Sequence, residues 1–208
     1  MCAARRTPNS VLRLAVFGGS FNPPHVAHLA VAEAAAEAAG LDRVLWMPAA
    51  TPPHKQDAPG LVPAEHRLAM TQLATDGNPR FAVSDLEVQR GGTSYTVDTL
   101  RALRAAHPEA DLVLLLGGDS LADFATWRDP AGILALARLV VYRRPGDRLE
   151  AVPPSTLERT TFVEAPLLDL SGTALRARLT AGQTVRYLVP DAVLAYVEAH
   201  GLYQGPKE

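Results

Sequence analysis

Six short apolar runs alternate along the chain with longer segments whose apolar residues recur every three to four positions. The runs are VLRLAVF (11–17), DRVLWMP (42–48), FAVSDLEV (81–88), DLVLLLGG (111–118), RLVVYRR (138–144) and TTFVEAP (160–166). β-Branched residues, leucine and aromatics dominate them, which predicts strands. HVAHLAVAEAAAEAAG, PAEHRLAMTQLATDG, SYTVDTLRALRAAHP and the pair SLADFATW and PAGILALA lie between them. Their spacing predicts helices, several closed by glycine or proline. Strands apolar on both faces and separated by helices predict an α/β protein built on a doubly wound parallel sheet of about six strands, with helices on both faces. The last segments, SGTALRARL and PDAVLAYVEAHGLY, predict a small C-terminal helical part. ATPPHKQDAPGLVP (50–63) and PGDRLEAVPPS (145–155) are too proline-rich for regular structure and predict connections.

Composition narrows the classes of partner. The chain has 208 residues, 48% of them apolar and 20% charged, an ordinary globular balance with room for a sizeable core. No apolar run approaches the length that spans a bilayer, so no membrane association is expected. The formal charge of −2 offers nucleic acid no general attraction, and phosphate recognition must be local. Cys2 is the single cysteine, which excludes a disulfide framework or a cysteine metal site. It lies in the polar stretch MCAARRTPNS, which lacks a hydrophobic signal core, and a cytoplasmic location is the expectation. Residues 1–10 are expected to be a disordered tail and 11–208 one domain. Association of copies into a homo-oligomer is left open.

In a doubly wound sheet, ligands sit beyond the carboxyl ends of the strands, and the first strand leads into GGSFNPPHVAH, Gly18 to His28. A glycine turn before a helix exposes backbone N–H groups that attract phosphate. Ser20 and Pro23 stand where GxGxxG requires glycine, and GK[ST] is absent, so a dinucleotide-dependent dehydrogenase and a P-loop NTPase are both disfavoured. The turn carries HxxH instead. His25 and His28, three apart, share a helix face, from which two imidazoles can donate hydrogen bonds to a transferring phosphate. A capping and a packed histidine would give the same spacing. Zinc would need further ligands and finds no cysteine.

GGSFNPPHVAH resembles the (T/H)xGH signature of the nucleotidylyltransferase superfamily, and LSGTALR, Leu170 to Arg176, resembles its second signature, ISSTxxR. Ala27 replaces the glycine of the first and Gly172 a serine of the second. The resemblance implies one Rossmann-like nucleotidylyltransferase domain over 11–208, in which a nucleoside triphosphate is joined to a phosphate-bearing acceptor and pyrophosphate leaves. It implies that His25, His28 and Arg176 are catalytic. Gly18, Gly19, Ser20, Phe21, Lys55, Ser171 and Thr173 would bind ATP and its phosphates, and magnesium would enter with the triphosphate.

Three further stretches resemble bacterial nicotinate-nucleotide adenylyltransferases: RGGTSYTVDTL (90–100), GGDSLADFATW (117–127) and PPHK (52–55). The partners implied are ATP and nicotinate mononucleotide. Tyr95 and Thr96 open a helix whose free N–H groups suit a carboxylate. Trp127 offers a flat face to a pyridinium ring, and Asp119, after the fourth strand, could accept from ribose hydroxyls. A nicotinamide mononucleotide or dual-specificity enzyme, a pantetheine-phosphate adenylyltransferase and a catalytically silent nucleotide sensor are the alternatives.

Overall fold

The computed structural model describes residues 11–53, 59–143, 146–147 and 149–204; the expected tail and Lys55 lie outside them. Six strands, β1 (Arg13–Gly19), β2 (Arg43–Pro48), β3 (Phe81–Val83), β4 (Asp111–Gly117), β5 (Arg138–Tyr142) and β6 (Thr160–Val163), form one parallel sheet in the order β3-β2-β1-β4-β5-β6. The order reverses between β1 and β4, so their carboxyl ends open the crevice in which doubly wound folds take ligands.

The helices are α1 (Val26–Ala38), α2 (Ala64–Thr75), α3 (Leu86–Arg90), α4 (Thr96–Ala106), α5 (Gly118–Ala122), α6 (Pro130–Leu136), α7 (Pro154–Leu157), α8 (Gly172–Thr180) and α9 (Asp191–Ala199). Alternation along each strand explains why both faces are covered. Leu14 and Val16 of β1 and Leu112, Leu114 and Leu116 of β4 pack with Val97, Leu100 and Leu103 of α4. Ala15 and Phe17, with Val113 and Leu115, face the other way and pack against Ala32, Ala35 and Ala36 of α1. The alanine face lets α1 lie close to the sheet. A third cluster joins Met70 and Ala74 of α2 to Leu175 of α8 and Val193, Leu194 and Val197 of α9. This is the expected C-terminal helical part, and it brings the second signature round to the first.

The third predicted strand is shorter than its apolar pattern. It stops at Val83, and the remainder coils into α3, because the Ser84 hydroxyl accepts the Leu86 N–H at 3.2 Å and turns the chain. Of the two proline-rich connections, 145–155 runs into the single turn of α7.

Candidate active site

The first strand ends in open space. A Cβ at Gly18 would meet no atom within 4 Å, whereas one at Gly19 would approach the Phe21 ring to 2.9 Å. Gly18, Gly19 and Ser20 wall a cleft of about 310 Å³ that reaches to Ser94, Thr96 and Trp127. A side recess of about 150 Å³ continues among Tyr95, Thr96, Trp127 and Arg128. The glycine turn and the SYT segment, remote in sequence, therefore share one cavity.

His25 and His28 stand at the start of α1. His25 is buried and forms the helix N-cap, and the two side chains make a reciprocal capping arrangement with each other's backbone. The imidazoles stack with centroids 3.7 Å apart and planes at 28°. His28 Nδ1 accepts the His25 backbone N–H at 3.2 Å, which assigns the proton of a neutral His28 to Nε2 and makes that atom a donor. The capping reading of the pair is thus realised, and it fixes the ring whose other edge can donate. Ala27, in place of the signature glycine, is 2% exposed, and its methyl is accommodated in the core.

Phe21 brings only its backbone to the surface of the turn. Its ring is buried, at φ 44°, among Phe17, His28 and Trp46. Only its backbone N–H is left for an anion; the side chain backs the turn.

Arg176 comes to the same turn from the far end of the chain. Its Nη1 donates to the Asn22 carbonyl at 3.0 Å and its Nη2 lies 3.4 Å from the Thr173 hydroxyl. Ser171 caps α8, its hydroxyl accepting the Ala174 N–H at 3.2 Å. Gly172 has a structural reason: a Cβ there would stand 3.0 Å from the Asn22 carbonyl and 3.4 Å from Arg176 Nη1, so glycine lets the start of α8 meet the turn closely.

Sequence patterns did not single out Asn22, yet it is the knot of this region. Its amide donates to the Gly60 carbonyl at 2.9 Å and its Oδ1 accepts the Val62 N–H and, at 2.7 Å, the Tyr203 hydroxyl. Burial raises the Tyr203 pKa, against the pull of the Arg176 and Arg67 guanidiniums, so the hydroxyl stays protonated and donates.

On the acceptor side Tyr95 is the N-cap of α4 and Thr96 its first residue. Trp127 packs on Phe124 at 5.5 Å and lines both cavities. Arg128, also unanticipated, covers the Tyr95 ring at 4.5 Å and pairs with Asp98 at 3.7 Å. Asp119 is exposed in the first turn of α5, beside the lining residues Gly117 and Ser120.

Glu87 is a buried carboxyl in the cleft wall, accepting the Thr99 hydroxyl at 2.5 Å. Burial raises its pKa above the usual 4.5, opposed by hydrogen bonds from Thr99 and Ser94 and by Arg90. The folded state therefore holds this proton more tightly than the unfolded chain, and the associated stability is full below about pH 4.5 and lost as pH rises through the raised native value. Glu87→Gln should remove that dependence. Urea midpoints of the two proteins should converge toward acid pH, the glutamine form gaining relative stability toward neutrality. Parallel curves would contradict the assignment.

The family model of cytidylyltransferase-like proteins matches residues 16–178. A Salinibacter ruber protein named probable nicotinate-nucleotide adenylyltransferase is 49% identical over 193 residues, covering 93% of this chain and 98% of its own. A Thermus thermophilus protein of the same name is 46% identical over 193 residues, covering 93% and 100%. Among solved structures, Plasmodium falciparum nicotinic acid mononucleotide adenylyltransferase complexed with APC superposes with a TM-score of 0.74 at 18% identity, over 92% of this chain and 97% of that one, a likeness of fold. The chain belongs to the cytidylyltransferase-like family and, within it, groups with the nicotinate-nucleotide adenylyltransferases.

Proposed function

We propose that this protein transfers the adenylyl group of ATP to nicotinate mononucleotide. An oxygen of the mononucleotide phosphate attacks the α-phosphorus, the bond from that phosphorus to the β-bridging oxygen breaks, and pyrophosphate leaves, giving nicotinate adenine dinucleotide. The observation that carries this reading is the meeting of both signatures at one turn, with Arg176 bonded to the backbone three residues before His25.

Such a transfer needs two anions held in line and added charge stabilised, with no covalent nucleophile. His28 donates from Nε2 to the phosphates and His25 fixes its ring. Arg176 and the capped start of α8, with Ser171 and Thr173, hold the triphosphate from the opposite side. Gly18 to Ser20 and the Phe21 N–H cradle the phosphates. Magnesium accompanies ATP, held by phosphate oxygens and water; among the described residues no three His, Cys, Asp or Glu side chains gather as a metal cage.

The recess beside Trp127 suits the ring. The start of α4 and the Arg128 guanidinium both favour a carboxylate, and the indole stacks on the pyridinium. Asp119 serves the ribose at the cleft mouth. Trp127→Ala should raise KM for nicotinate mononucleotide about fivefold, the equivalent of the ~1 kcal/mol in a ring–cation contact, with KM for ATP unchanged; equal changes in both would place the indole elsewhere. No helix among the described residues is long and apolar enough to cross a membrane.

Pyrophosphate release is the direct test, with ATP and magnesium and either nicotinate or nicotinamide mononucleotide. The reading requires a higher kcat/KM for the acid. A higher value for the amide reverses the specificity, and release with neither overturns the function.

A further inference from the structure

Arg67 lies on α2, is 1% exposed, and donates from all three guanidinium nitrogens to main-chain carbonyls. Nε reaches Val62 O at 3.0 Å, Nη1 reaches Ser20 O at 3.0 Å and Nη2 reaches Ala50 O at 2.7 Å. Arg80, Arg101, Arg128 and Arg138 are paired with carboxylates. Arg67 is instead a buried cation whose hydrogen bonds all go to main-chain carbonyls, with Glu65 adding a coulombic attraction against the cost of burial.

The three carbonyls belong to parts of the site. Ser20 closes the glycine turn, while Ala50 and Val62 are the two ends of the connection from β2 to α2. Because a trans peptide points its C=O and N–H in opposite directions, holding Ser20 O toward Arg67 turns the Phe21 N–H away from the guanidinium, the orientation an anion-binding turn needs. The Ala50 N–H in turn donates to Ser94 Oγ at 2.9 Å, next to the start of α4. One side chain thus ties the phosphate turn to the acceptor wall.

We propose that Arg67 is a positioning residue for the transfer, fixing the glycine turn, both ends of the 50–62 connection and, through Ala50, the SYT segment in one geometry. The proposal rests on the adenylyl-transfer reading. Lysine keeps the charge and cannot span three carbonyls, so Arg67→Lys should lower kcat about 10²-fold, the scale of a misplacement near 1 Å. KM for each substrate should move by less than about threefold, since the loss falls mainly on the transition state. Rates are referred to sites counted by calorimetric titration with a non-hydrolysable ATP analogue. A merely structural arginine would lower the thermal midpoint and leave kcat per site at the wild-type value, and that result overturns the proposal. A second measurement covers a variant that does not fold: in the wild-type protein the Arg67 Nε–H resonance, assigned through the backbone, should shift when the ATP analogue saturates. An unmoved resonance also overturns it. Should wild-type protein release no pyrophosphate with either mononucleotide, the function reading fails, and the Nε response still decides whether Arg67 is coupled to the phosphate turn.

Discussion

His28→Ala lowers kcat for adenylyl transfer by about 10²- to 10³-fold, the loss seen when one preorganised donor to a transition-state oxyanion is removed. The geometry makes the expectation specific. Nδ1 is occupied by the His25 N–H, so Nε2 is the atom that carries the effect, and the stacked His25 ring holds it on line. The same substitution removes half of the cap on α1, which weakens stability by about 1 kcal/mol, too little to unfold the protein. His28→Asn separates the two effects, since its carbonyl can take over the cap without reproducing the Nε2 donor. It should recover stability and leave kcat low. Near-normal kcat in His28→Ala would mean that the turn serves a purpose other than phosphoryl chemistry.

Arg176→Ala is the second large effect. A charged hydrogen bond to phosphate contributes about 1.5–3 kcal/mol, so kcat/KM for ATP should fall by roughly 10- to 100-fold while KM for nicotinate mononucleotide is little changed. Arg176→Lys should recover part of the loss, because it restores charge without the planar fork. Its partners make the alternative testable: Nη1 also braces the Asn22 carbonyl, and a purely structural Arg176 would disturb both substrates alike.

The fold was legible wherever one periodicity ran the length of an element. β1 and β4 alternate their faces without interruption and α1 keeps its alanine stripe, so the β-α order could be read directly. FAVSDLEV misled because its apolar content continues past Val83, where a serine hydroxyl starts a turn; that competition is local and leaves the hydrophobic pattern unchanged. The glycine turn, the histidines and the start of α8 were legible because their chemistry is written in contiguous residues. Asn22, Arg67 and Tyr203 were not. Each acts through hydrogen bonds that reach far along the chain, up to 47 positions for Arg67 and 181 for Asn22 and Tyr203, and nothing in its immediate neighbours announces them. Arg67 in particular sits in PAEHRLAMTQ like any charged residue on a solvated helix face, and only the packing of α2 shows it pointing inward.

The central claim is spatial: the His28 imidazole, held by His25, and the distant Arg176 guanidinium act on one triphosphate. A crystal structure with a non-hydrolysable ATP analogue and magnesium measures it directly. The account predicts phosphate oxygens of a single analogue within hydrogen-bond distance of both His28 Nε2 and the Arg176 guanidinium. An analogue bound with Arg176 still on the Asn22 carbonyl and no phosphate oxygen within reach of His28 would contradict it.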